Sequence, residues 1–260
     1  TIPLQIIWGE ETFLDRVTLQ PDEFYRRLPH AKVMPTTSQP TPAAFTEIYG
    51  RLLEQGYDIL SIHIANKLSG TLDSASQARQ NFPSSRIELV DSESTAMAMG
   101  YQVLTAARAA AQGATLKECL ALAEKAANNI GVLFAVSTLE FLRRGGRIGG
   151  AAAFLGTALN LKPILELRSG RIEAVERVRT MGKAIDRLLD LFEEHIGPRR
   201  PIHIASLHAN APAEAQTLLE RARQRFEEGD VCETVLAEIS PVLGTHTGPG
   251  TVGLVFMAGL

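Results

Sequence analysis

The sequence predicts an α/β protein in two parts, and three observations carry that expectation. Strand-like and helix-like segments alternate along most of its 260 residues, as in parallel strands joined by helical crossovers. The pattern changes after Gly149-Gly150, where two extended segments meet at Ser169-Gly170 as a hairpin. Composition is near the soluble globular average, with 45% apolar and 21% charged residues, and the length suffices for two modest cores. The expected architecture is an N-terminal three-layer α/β domain, residues 1–148, with a mostly parallel sheet, and a C-terminal α/β domain, residues 149–260, with a mixed sheet. The boundary is placed near Gly145–Gly150, where glycines and arginines interrupt both periodicities.

Each element has a local reason. Ile2–Trp8 and Thr12–Leu14 form a hairpin around Gly9-Glu10-Glu11. Thr41 caps a helix with Pro42 at its first position and a stripe of Phe45, Ile48, Tyr49 and Leu52; Gly56 ends it. Tyr57–Ala65 is a strand, Thr71–Phe82 a helix and Arg86–Val90 a strand. Helices follow over Ser94–Gln112 and Leu116–Asn128, the second opened by a capping box of Thr115 and Glu118. Gly131–Ser137 is a buried strand. Beyond the boundary come a short apolar helix, Ala151–Leu159, and the hairpin of Pro163–Arg168 and Arg171–Arg179. Helix Lys183–Ile196, strand Pro201–Leu207, helix Ala213–Glu227, strand Val231–Ile239 and strand Thr251–Met257 complete the chain. There is no internal repeat.

Several functions are excluded or weakened by what is missing. A net charge of −3 argues against a generic nucleic-acid binder. No GxxxxGK[ST] loop supports ATP hydrolysis by this chain, and the glycines of Gly145–Gly150 do not form GxGxxG. The six histidines lack zincin or finger spacing, so neither a metal nor a cofactor is expected. Cys119 and Cys232 have no CxxC partner and read as buried thiols of a reducing cytoplasm. No apolar run spans a bilayer and no signal-type segment is present, so a cytoplasmic location without stable membrane insertion is expected. Thr1 in place of Met suggests a segment beginning inside a longer gene product. Charge is uneven: residues 143–187 hold ten Lys/Arg against four acids, a net +6. That stretch is either a solvated face or a docking surface for an acidic partner or phosphates.

Three loops carry hydroxyls beside Pro or Gly: Thr36-Thr37-Ser38-Gln39-Pro40, Lys67-Leu68-Ser69-Gly70-Thr71 and His246-Thr247-Gly248-Pro249-Gly250. Any one of them is explicable as an ordinary turn. Ser69, however, falls between a strand and the next helix, on the carboxyl edge where open α/β sheets bind ligands. The helix start aims free N–H groups at an anion there. Thr37 and Ser38 precede another helix and face the same crevice, and His246 is placed to donate to the same anion. Hydroxyls beside a helix N-terminus suit a carboxylate or phosphate better than a cation. The competing possibility is a hydrolase or transferase using Ser69 and His246 on a small acyl or phosphorylated substrate, although no GxSxG elbow surrounds Ser69.

The ordered set Thr37-Ser38-Gln39-Pro40, Ser61-Ile62-His63-Ile64 with Leu68-Ser69-Gly70-Thr71, Val90-Asp91-Ser92, Thr138 to Ile148, Leu161 to Leu165 and Gly244 to Gly250 resembles the DegV family. These are bacterial fatty-acid-binding proteins that include the acyl-carrying subunit of fatty acid kinase. The match runs from Pro3 to the C-terminus. The family's opening strand and Asp-Ser-Thr loop have no counterpart here, which implies a first sheet short of one strand and an incomplete rim. The resemblance implies a non-enzymatic lipid carrier with one long-chain fatty acid in a tunnel between the two domains. Thr37 and Ser69 would hold the carboxylate, with His246 beside it and Ser38 and Gly70 as secondary contacts. A separate kinase subunit would phosphorylate the acid, and Arg147, Arg177, Arg179 and Lys183 are the basic residues expected to face that partner.

Overall fold

The computed structural model describes residues 1–84, 86–156 and 161–260. Strands β1 (Gln5–Trp8) and β2 (Glu11–Leu14) form the expected hairpin. Helix α1 (Pro21–Arg27) follows, and β3 (Thr36–Ser38) returns antiparallel to β1, with Thr37 opposite Ile6. Neither α1 nor β3 is apparent in the sequence, because seven and three residues are too few to show a period. The first sheet is thus a small antiparallel one, additional to the parallel sheet expected for this half.

The parallel part comes next. Helix α2 (Pro42–Glu54) starts where expected, with Thr41 Oγ1 accepting the Ala44 N–H at 3.3 Å. Strand β4 (Ile59–His63) pairs in parallel with β5 (Ile87–Asp91), and α3 (Thr71–Arg79) crosses between them. Helices α2 and α3 cover one face around Phe45, Tyr49, Ile59 and Ile87. On the other face lie α4 (Ala96–Ala111) and α5 (Leu116–Ala127), where Leu60 and Ile62 meet Ala106 and Cys119. The Thr115–Glu118 capping box opens α5, its two backbone bonds 2.8 and 3.3 Å long. This unit has the three layers expected of parallel strands buried on both faces.

Strand β6 (Ile130–Ala135) leads through α6 (Glu140–Arg144) and a 3-10 segment (Gly149–Phe154) to the hairpin of β7 (Lys162–Arg168) and β8 (Arg171–Val178). Then come α7 (Met181–Ile196), β9 (Ile202–His208), α8 (Pro212–Arg223), β10 (Val231–Glu238), α9 (Pro241–Thr247) and β11 (Val252–Ala258). The six-stranded sheet has the order β10-β9-β11-β6-β7-β8, with β9 and β10 parallel and the remaining pairs antiparallel. It is the expected mixed sheet, with one correction to the boundary at 148/149. Strand β6 precedes that boundary yet is hydrogen-bonded between β11 and β7. The glycines and arginines of 145–150 therefore mark a short-helix connection inside this sheet's own path.

Three smaller expectations change. The helix expected over 151–159 is a 3-10 turn as far as Phe154, and residues 157–160 fall outside the described residues. Cys119 is buried but Cys232 is exposed, since alternation along β10 turns it outward. His246-Thr247 closes a short helix, α9, and the loop begins only at Gly248, φ 76°. Among the described residues no helix is long and apolar enough to cross a membrane.

Period-2 alternation gives the six-stranded sheet two apolar faces. Leu133, Ile204, Leu254 and Phe256 point to α7 and α8, packing on Leu188, Leu189, Phe192 and Leu218. Val132, Phe134, Leu207 and Val255 point the other way, toward α1, α4 and the first sheet.

Candidate functional site

A cavity of about 970 Å³, its mouth included, opens on that second face. Its floor is apolar and comes from the sheet: Val132 and Phe134 of β6, Leu167 of β7, Ile172 of β8, Leu207 of β9 and Gly253 of β11. A β-carbon at Gly253 would lie 2.8 Å from Phe134 Cβ and 3.0 Å from the Leu133 carbonyl. The absence of a side chain there leaves the neighbouring strand undisturbed and the floor low. Ile239, Val242 and Leu243 continue the apolar wall.

At one end the lining turns polar. Thr37 and Ser38 arrive on β3, Ser69 on the turn before α3, and His246 in the last turn of α9; all four line the cavity. Thr37 Oγ1 and His246 Nε2 are 2.8 Å apart, and Ser69 Oγ is 2.8 Å from Thr71 Oγ1. Thr37, Ser69 and His246, singled out in the sequence, all line this one cavity. Gly70 sits behind Ser69 as the residue before α3, beneath the side chain of Gln39.

Burial holds the His246 imidazole well below its usual range, at about 4, and the Arg147 guanidinium adds to that depression. At neutral pH the ring is therefore uncharged. Its buried Nδ1 has no hydrogen-bond partner among the described residues and packs on Gly145, where a β-carbon would lie 2.1 Å away. Helices α6 and α9 approach closely through this glycine and through Gly248, whose β-carbon would strike the Phe141 ring. Arg147 also lines the cavity, but its Nε donates to the Leu68 carbonyl at 3.0 Å and its Nη1 to the Gly145 carbonyl at 2.7 Å. It ties the Ser69 turn to α6.

The basic stretch is less free than its net charge suggests. Arg143 and Arg144 both bind Glu140, Arg168 pairs with Glu166 and Arg187 with Glu176. Arg177 lies 4.8 Å over the Phe154 ring. None of Arg177, Arg179 and Lys183 lines the cavity. His63, a further buried imidazole, meets Phe45 edge-to-face at 5.4 Å and is pushed down to about 4 by desolvation, which nearby Asp91 opposes.

Sequence reasoning missed the floor of the cavity, together with Gln39, Thr95 and Ala96 at its rim. The apolar runs of β6 and β11 mark those floor residues as buried but carry no signal that they face a void. Ala96, at φ 49°, is a strained residue at the start of α4; nothing in its local pattern announces that.

Comparison with known proteins identifies the family of this fold. The profile of the DegV family, described as uncharacterised, matches residues 1–259. A DegV domain-containing protein of Streptomyces coelicolor is 39% identical over 255 residues, 98% of this chain and 89% of that protein. A fatty-acid-binding DegV family protein from Thermus thermophilus superposes with a TM-score of 0.93 at 38% identity, covering 99% of this chain and 91% of that one. DegV of Bacillus subtilis, a fatty acid binding protein, gives 0.88 at 32%, covering 99% and 90%. A family profile spanning nearly the whole chain, a close relative of almost equal extent and the shared fold place this protein in the DegV family.

Proposed function

We propose that this protein binds a long-chain fatty acid in the cavity, its carboxylate held by Thr37 and Ser69 beside His246, and presents it to a separate kinase subunit. The observation that carries the proposal is that two hydroxyls and a neutral imidazole, from three distant segments, line one cavity whose floor is apolar. Burying an acyl chain recovers about 0.8 kcal/mol per methylene, so an apolar tunnel supplies affinity without many polar contacts. A carboxylate is costly to bury unpaired, and hydroxyl donors beside the α3 N-terminus offset that cost. Fatty acid binding by the Thermus thermophilus and Bacillus subtilis relatives points the same way. The hydrolase alternative needs the imidazole on the serine, whereas His246 bonds Thr37 and Ser69 bonds Thr71. For the kinase, Arg179 and Lys183 form no ion pair among the described residues and offer charge outside the cavity.

Native mass spectrometry of the purified protein should show a co-purifying fatty acid. After delipidation, Ser69→Ala should weaken rebinding by roughly 1–3 kcal/mol, since a buried anionic oxygen loses its donor. Protein that carries no lipid and binds none would reject the proposal.

A further inference from the structure

We propose that Gln39 is a third head-group contact of this cavity and sets its preference for a free acid over a neutral lipid, an inference that rests on the fatty-acid function just proposed. Gln39 follows Ser38 at the exposed rim and lines the cavity with Thr37 and Ser69. Its carboxamide lies against Gly70: a β-carbon at that glycine would sit 3.0 Å from Nε2 and 3.3 Å from Cδ. A β-carbon at 70 would displace the amide by a few tenths of an ångström, whereas glycine lets it rest against the loop that supplies Ser69. The carboxamide makes no hydrogen bond among the described residues, so both N–H donors are free.

The chemistry of the head group asks for such a donor. A carboxylate has about four lone-pair positions, while Thr37 and Ser69 supply one proton each. Arg147, the cation at the site, commits two of its five N–H donors to the carbonyls of Leu68 and Gly145. A neutral amide at the rim adds a bond to the outer oxygen without adding to the positive charge that Arg147 already places there. Hydrogen bonds to an ionised acceptor are about twice as strong as neutral ones, so Gln39 favours an acid over an alcohol of the same length.

The test uses the delipidated full chain with hexadecanoic acid and hexadecan-1-ol as probes, in Gln39→Glu and Gln39→Met. At neutral pH Q39E should weaken the acid about tenfold by replacing a donor with a negative charge, and leave the alcohol unchanged. Q39M keeps the length, removes the donors and should weaken the acid severalfold and the alcohol not at all. Acid binding unchanged in both variants, or acid and alcohol weakened alike, overturns the role of Gln39. Thr37→Val separates the two levels. If T37V weakens the acid and Q39E does not, the inference on Gln39 fails alone. If T37V also leaves the acid unchanged, the carboxylate assignment itself fails.

Discussion

Strand β11 buries every residue from Val252 to Ala258, but its two faces meet different things. Leu254 and Phe256 press on α7 and α8, where Leu188, Leu189, Phe192, Ile196 and Leu218 are wholly buried. On the other side Gly253 opens onto the cavity, with Phe134 and Val132 of the neighbouring strand beside it. Both faces are built from the same aliphatic and aromatic residue types. What differs is the cover. Two long amphipathic helices lie flat on one face and fill it. The other is covered partly by α1 and α4, and over the cavity by loops, the short helix α9 and the edge of a three-stranded sheet, which meet without closing the space. Burial alone therefore does not distinguish a packing surface from a binding surface; the shape of the covering layer does.

That contrast can be broken first on the filled side. Phe192→Ala removes a fully buried ring that meets Phe256 edge-to-face at 5.5 Å, and should cost about 3–5 kcal/mol in denaturant unfolding. Fatty-acid affinity of the folded fraction should be unchanged, because Phe192 does not line the cavity. The opposite experiment enlarges a residue on the open side. Leu207→Phe should abolish most acyl binding while shifting stability by no more than about 1–3 kcal/mol. A larger loss of stability would mean that this face is as tightly filled as its counterpart.

Acid separates the open side through its imidazole. His246 is held at about 4 by burial and by Arg147, against about 6.5 in an unfolded chain. Between those values the unfolded state binds the extra proton, so stability is complete above pH 6.5 and falls as pH drops toward 4. The slope is up to about 1.4 kcal/mol per pH unit for each such histidine. His63, also held at about 4, adds to it. His246→Gln should flatten the stability profile over that window without removing the share due to His63; an unchanged profile would show that His246 is solvated in the native state. The smallest effect is expected outside both faces. Reversing Arg177 and Arg179 to Glu should leave lipid binding intact and slow kinase-coupled acyl-phosphate formation, less so at high salt. Equal rates for the reversed and native proteins would assign that stretch to a solvated surface.

How much of this was legible in the sequence follows the same division. The capping box at Thr115 and Glu118, the Pro42 helix start and the hairpin at Ser169-Gly170 depend on neighbours in the chain, and each can be recognised locally. Thr37, Ser69 and His246 were legible as hydroxyl-rich loops at element ends. Strand β3 was not, because its three residues are ordered by pairing with β1. Nor was the membership of β6 in the second sheet, which depends on β11, a strand more than a hundred residues later. The cavity floor is the least legible of all, since a void is a property of what fails to meet.

The position of β11 has a consequence for how the protein is made. It is the last described strand to leave the ribosome, yet it belongs in the middle of the sheet, between β9 and β6. Until it arrives, β6-β7-β8 and β9-β10 are two separate ribbons, each presenting an unpaired edge. Synthesis at roughly 5–20 residues per second leaves those edges open while α8, β10 and α9 are being added. Nascent chains should therefore be most prone to mispairing and chaperone capture just before β11 emerges, and a truncation that removes only this strand should cost the whole domain its cooperativity.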